Sequence, residues 1–187
     1  ILIIMPDVNQ TITDFYRVSQ EKDFQRDFQF RVLNIQGGDG TSVTFTEDDL
    51  VYIRTATLPG KSIQSKVVPY MGLQFNIPGS VQYDGSANWA VQFYCDQASA
   101  IRQTFENYLT DVFDDSTSTG NYFMPRANAI VDMVQLDTQL EAVATYQLVG
   151  VYAQSVGALN YSPADGTGDT MKFDATLAYQ YWRRTTP

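Results

Sequence analysis

Asp48-Asp49 and Asp114-Asp115 are the places where carboxylates stand side by side. Paired carboxylates are the usual minimum for acid–base hydrolysis or for holding a hard cation. Neighbouring residues on a strand point to opposite faces, so neither pair is preset to share a proton or a metal. Both read as solvated loop acids. Gly37-Gly38-Asp39-Gly40 has the glycine density of a phosphate loop, yet it lacks the Lys-Ser/Thr ending and leads into a strand rather than a helix. It reads as a turn. Histidine is absent, which removes the usual general base and the commonest transition-metal ligand. Cys95 is the single cysteine, so an intrachain disulfide and a Cys-based metal cluster within the chain are excluded. In the apolar run Trp89–Cys95 it reads as a buried structural thiol. Spacing therefore singles out no catalytic residue, no metal site and no cofactor.

Charge points the same way. The 187 residues carry 12 Lys and Arg against 21 Asp and Glu, a formal net charge of −9. Affinity for phosphates comes from Lys and Arg, so a general nucleic-acid binder would show the opposite balance. Arg183-Arg184 after Trp182, with Lys61 and Lys66, form a basic-aromatic set that reads better as partners for acids on a neighbouring subunit. No stretch approaches the roughly 20 apolar residues of a membrane helix, and no membrane anchor is expected. Ile1-Leu2-Ile3-Ile4 is too short for a signal-peptide core, and Met5-Pro6 reads as a translation start behind an upstream extension.

The elements that would carry these residues are mostly strands. Aromatic residues fill 13% of positions, chiefly Tyr and Phe, which favours pleated, half-buried surfaces. Thr13 or Asp14 caps a short helix in an N-terminal arm spanning 1–22. Phe28, Phe30 and Val32 begin a period-two pattern that turns at Gly37–Gly40 into Ser42–Thr46. Leu50–Thr57 and Trp89–Tyr94 read as strands. Residues 61–78 read as a protruding hairpin arm, with Ile63–Val68 and Leu73–Ile77 around Pro69-Tyr70-Met71-Gly72. One helix is clear from Ile101, Phe105, Tyr108 and Val112, with Leu109 beside them and Asp96 as its N-cap. Ile101, Phe105 and Leu109 should face the core. Ile130–Leu136 and Val143–Tyr152 resume strand character, and Met171–Trp182 alternates as one long strand that must bend. Strands before and after one helix, with short connections, predict a single domain over 1–187. Its fold class is mainly β: an antiparallel two-sheet sandwich or barrel with one flanking α-helix.

Thr55-Ala56-Thr57-Leu58-Pro59-Gly60, Val68-Pro69-Tyr70-Met71-Gly72 and Phe75-Asn76-Ile77-Pro78-Gly79 follow one another in the middle of the chain. Trp89-Ala90-Val91 and Ile101-Arg102-Gln103-Thr104-Phe105 come next, and Phe173–Trp182 closes the series. In order and spacing this resembles the tail-tube protein of T-even-like contractile bacteriophages, over about Phe28 to Trp182. The resemblance implies two packed sheets and one helix per subunit, with six subunits closing into a ring. Inner strands would merge into a ring-wide barrel, and rings would stack into a tube inside a contractile sheath. DNA would pass down the lumen without specific binding. The implied partners are copies of the chain itself, the tail sheath protein, and baseplate and terminator proteins. The implied location is the virion tail, with assembly in the host cytoplasm. The loops Asp114–Pro125 and Gly157–Gly168 look long for that pattern.

Within that frame Lys61, Ile63, Lys66, Tyr70, Met71 and Phe75 are the candidate subunit-interface residues of the arm. Asp132 is the candidate lumen acid, its neighbours Val131 and Met133 facing away. An acidic lining would repel DNA phosphates and let the duplex slide. Two other readings stay open: a baseplate tube initiator or injection-system inner tube, and a glycan-binding or glycan-cleaving tail β-sandwich.

Overall fold

The computed structural model describes residues 12–38, 43–164 and 166–185. The Asp39–Ser42 part of the turn read from the sequence, and residues 1–11, lie outside them. Helix α1 (Ile12–Glu21) precedes strand β1 (Phe30–Gln36), and the short helix α2 (Glu47–Val51) leads into β2 (Ile53–Ala56). The hairpin β3 (Lys61–Tyr70) and β4 (Leu73–Tyr83) follows, then β5 (Trp89–Tyr94) and helix α3 (Ala100–Val112). After the small ribbon β6 (Phe113–Asp114) and β7 (Thr119–Gly120) come β8 (Ile130–Leu136), β9 (Ala142–Val149) and β10 (Tyr152–Val156). The strands β11 (Lys172–Ala178) and β12 (Tyr181–Thr185) complete the chain.

Two four-stranded antiparallel sheets result, ordered β1-β8-β9-β12 (sheet A) and β10-β11-β5-β2 (sheet B). Alternation sends Val32, Val131, Met133 and Leu148 inward from sheet A, and Val91, Phe93, Phe173 and Leu177 inward from sheet B. The chain is thus mainly β and antiparallel, with helix α3 at the flank.

Two sequence patterns that read as continuous strands are each divided between the sheets. The run 143–152 breaks at Gly150, whose φ of +70° turns the chain from β9 in sheet A to β10 in sheet B. The terminal run breaks at Tyr179–Gln180, taking β11 in sheet B to β12 in sheet A. The two corners touch, because a Cβ on Gly150 would lie 2.6 Å from Gln180 Cγ and the Gln180 amide donates to Val149 O at 3.0 Å. A side chain at 150 would clash as well as strain the backbone.

Two local readings are corrected. Leu50-Val51 is helical rather than extended, because Thr46 and Asp49 form a capping box that nucleates α2. The N-cap residue of α3 is Ser99, at φ +56°, and Asp96 supplies the capping chemistry from three residues earlier. Its carboxylate accepts from the amides of Ala100 (2.8 Å) and Ile101 (3.4 Å).

Helix α3 closes one open side of the sandwich through an aromatic cluster. Ile101 and Phe105 are buried, while Leu109 is half-buried against the same core. The Phe105 ring lies 4.6 Å from Phe45, 5.2 Å from Phe93 and 6.1 Å from Phe173. Phe105→Ala should therefore cost about 3–5 kcal/mol in a denaturant titration of the unassembled subunit. A loss below about 1 kcal/mol would show that α3 does not seal this core.

Candidate assembly surfaces

The hairpin β3–β4 is the largest feature that the subunit does not bury. Its turn is Met71-Gly72, with φ of +48° and +81°, the paired positive values of a type I′ hairpin turn. Pro69 stands opposite Gln74 and Pro78 opposite Ser65, so two ladder positions lack an N–H and the ribbon suits an edge location. Direct pairing puts Lys66 with Ile77, Val68 with Phe75 and Tyr70 with Leu73 on one face. Val67, Asn76, Pro69 and Gln74 occupy the other. Every large apolar side chain on the first face is exposed, including Tyr70 at 66% and Phe75 at 51%. Ile63 at the base and Met71 at the tip are exposed too. Among the described residues the ribbon is tied down at its root, where Tyr83 packs edge-on to Trp182 at 6.3 Å and the Trp182 indole donates to Gly60 O at 3.1 Å. Lys61 lies 5.4 Å over the Tyr83 ring.

The outward faces of both sheets carry polar rows that cross the strands. On sheet A, Asp132 accepts from Gln147 Nε2 at 2.8 Å and from Asn34 Nδ2 at 3.5 Å, and Gln147 Oε1 accepts from Arg183 Nε at 3.0 Å. On sheet B, Arg54 donates to Gln92, whose Nε2 donates to Asp174 Oδ1 at 2.9 Å. In each row a glutamine couples an edge-strand arginine to a central-strand aspartate. The structure places half-buried Asp132 on the outward face of sheet A, opposite buried Val131 and Met133. Arg31 and Arg183 share that face by strand alternation, so it carries no excess of acid. Asp137 and Glu141 sit instead on the β8–β9 turn.

The four sheet edges differ. Helix α3 lies against β10, donating from Tyr108 Oη to Val151 O (3.1 Å) and from Arg102 to Gly157 O (2.7 Å), one bond near each end of the strand. β2 is only four residues long and abuts α2. In sheet A, β12 ends the sheet, and β1 carries one further bridge, Gln36 to Thr44. Long unpaired edges invite pairing with another chain.

The paired acids take up local roles. Asp49 belongs to the capping box. Asp114 accepts from Ser116 Oγ (2.7 Å), the Ser116 amide (2.8 Å) and Thr117 Oγ1 (3.0 Å), and these bonds lower its pKa below the usual carboxylate value. Among the described residues no cluster of His, Cys, Asp and Glu is arranged to hold a metal, and no helix is long and apolar enough to cross a membrane. Cys95 is half-buried, and that burial raises its thiol pKa. A cavity of about 680 Å³ at the Pro125–Ala129 end of sheet A is lined by Tyr108, Tyr122, Phe123, Met124 and Val151. Sequence reasoning named the long loop there but not this apolar wall.

An antiparallel β-sandwich with an exposed apolar hairpin, and with sheet A ending on β1 and β12, is a fold with surfaces suited to assembly. The family model described as "Phage tail tube protein" matches residues 19–185, and the chain belongs to that family. No curated protein matches the sequence. Among solved structures, the chain is similar to a component of the anti-feeding prophage baseplate at 14% identity, covering 84% of this chain and 93% of that one, with a TM-score of 0.59. It is similar to the anti-feeding prophage tube terminating cap at 8% identity, over 88% and 92% of the two chains, also with a TM-score of 0.59. A chain from the sheath-tube complex of an extracellular contractile injection system, PVC, gives 12% identity over 91% and 97%, with a TM-score of 0.54. At these identities the likeness is one of fold. The chain is a structural subunit of the tail-tube class.

Two buried hydroxyls tie α3 and the corner to the sheets. Burial is the main cause that pushes Tyr108 up to about 12, with Asp111 adding to it, and Tyr179, which donates to Asp84 O at 2.9 Å, is also raised to about 12. A phenol with a raised folded pKa contributes stability that is complete below the unfolded value near 10.0 and disappears as pH climbs towards 12. The melting temperature should accordingly fall across pH 10 to 12, and Tyr108→Phe should flatten that fall. An unchanged alkaline slope in Tyr108→Phe would count against the buried-phenol assignment.

Proposed function

We propose that the chain, as one tube domain, is the repeating subunit of stacked hexameric rings that line a channel for DNA ejection. The observation that carries the reading is that, among the described residues, β12 and β1 short of its Gln36 end have no strand on their outer sides, beside an exposed apolar arm. Four strands per copy is an even number, so in a ring β12 of one copy meets β1 of the next antiparallel, and the same seam repeats without a parallel mismatch. On this reading sheet B does not propagate in that way, because α3 packs beside β10 and bonds to Val151 and Gly157 at its two ends. Closing sheet A into a barrel puts the row Asn34–Asp132–Gln147–Arg183 on the channel wall if that outward face turns to the axis.

On this reading Asp132 faces the lumen, but between Arg31 and Arg183. Weak contact with DNA then comes from near-balance of charge and from side chains whose hydrogen bonds are already engaged, rather than from a strongly acidic wall. The arm residues Lys61, Ile63, Lys66, Tyr70, Met71 and Phe75 make contact with a neighbouring copy. A sheath packs outside, with baseplate and terminator proteins at the ends. The subunit acts in the virion tail after assembly in the host cytoplasm. It needs no membrane anchor and no cofactor, and it performs no catalysis.

A second reading is a baseplate tube initiator or injection-system tube subunit. It is favoured by one observation, that baseplate, cap and sheath-tube structures all share this fold over most of the chain.

Negative-stain microscopy of native particles, or of protein assembled at high concentration, should show six-fold rings and stacked tubes. Replacing Ser65–Pro78 by Asn-Gly should leave the circular dichroism and melting curve of the subunit nearly unchanged and abolish tubes. A shortened chain that still forms tubes would contradict the role of the arm, and one that unfolds would make the arm part of the core.

A further inference from the structure

This inference rests on the tube reading and names the partner surface of the arm. A groove of about 1040 Å³ runs between β1, α2 and β2. Phe28, Phe30, Val32, Leu50 and Val51 supply its apolar lining, and Val51 and Phe28 are 79% and 70% exposed. Asp27, Glu47 and Asp48 form an acidic rim. Of the two arginines that also line it, Arg54 is already engaged by Gln92. We propose that this groove receives the β3–β4 arm of the adjacent copy in the ring.

Three observations converge on that occupant. First, position: the arm is rooted on Trp182 of β12, whereas the groove lies along β1, and these strands are the opposite ends of sheet A. A ring that joins β12 to the next β1 brings the root of the arm beside the β1 side of the next copy, where the groove lies. Second, polarity: the arm offers one continuous apolar face, Val68, Tyr70, Leu73, Phe75 and Ile77, and the groove offers apolar side chains of its own, Phe28 and Val51 among them, between charged ones. Third, charge: from Lys61 to Tyr83 the ribbon carries Lys61 and Lys66 and no acid, Lys66 lies on the apolar face, and the groove presents Asp27, Glu47 and Asp48. Docking there buries both exposed apolar surfaces and pairs the lysine with the acidic rim.

The test uses assembled particles of the full chain carrying Cys95→Ser. Val68→Cys in the arm combined with Val51→Cys in the groove should give, on mild oxidation, a ladder of disulfide-linked oligomers ending at the closed ring. Each single variant should give no ladder beyond a dimer, and Val68→Cys with Tyr122→Cys, at the far cavity, should give none. Micrographs of the same sample show whether rings have formed. Rings without a Val68–Val51 ladder, or with a ladder from the Tyr122 pair, overturn the groove while leaving the tube reading intact. No rings from the unmodified chain overturns the tube reading and this inference with it. A second measurement needs no cysteine. Lys66→Glu should raise the concentration required for assembly several-fold, and adding Asp48→Lys should bring it back. Failure of that rescue counts against the pairing.

Discussion

A two-stranded ribbon in water with one face made of Val68, Tyr70, Leu73, Phe75 and Ile77 is the constraint on which the proposed assembly depends. Isolated two-stranded ribbons are marginal even when well formed, and an exposed apolar strip of this kind favours association. The subunit offers the ribbon only a root, through Tyr83, Trp182 and Gly60. Burying the remainder takes a second surface, which the proposed ring would supply from the next copy.

The sandwich that holds this root is built to be stiff where it is shared and open where it is joined. β9–β10 and β11–β12 each cross from one sheet to the other, and their corners lock through Gly150 and Gln180. Phe93, Phe105 and Phe173 fill the space between the sheets. Helix α3 is then used twice, once as a core lid through Phe105 and once as an edge cover through Tyr108 and Arg102. The consequence is asymmetry. Both sheets have an even strand number, but α3 packs beside β10 of sheet B, and the proposed assembly uses the edges of sheet A instead.

Much of this was legible from residue order. The β8 and β5 strands, the hairpin and the apolar face of α3 follow from alternation, helical spacing and Pro-Gly punctuation, whereas the tail-tube resemblance rests on the order of particular motifs from Thr55 to Trp182. The misread places share a physical cause. Gly150 and Gln180 are corners inside patterns that alternate correctly on both sides, and period two does not reveal that a strand has changed sheets. Leu50-Val51 looked extended because a one-turn helix leaves no periodicity, although Thr46-x-x-Asp49 carried a capping signal. The polar rows were invisible for a different reason: Asp132, Gln147 and Arg183 are far apart in sequence and meet only through register. Net charge also misled about surfaces, since a chain at −9 keeps its sheet faces nearly balanced and places acids such as Asp137 and Glu141 in loops.

The central claim is that sheet A continues from one copy to the next through β12 and β1. Amide hydrogen exchange, compared between the unassembled subunit and assembled particles, reads this seam directly. The account predicts that alternate amides in Tyr181–Thr185 and in Phe30–Ile35 exchange quickly in the subunit and become strongly protected on assembly, with β10 protected equally in both states. Unchanged exchange along β12 and β1, with new protection appearing along β10 instead, would contradict it.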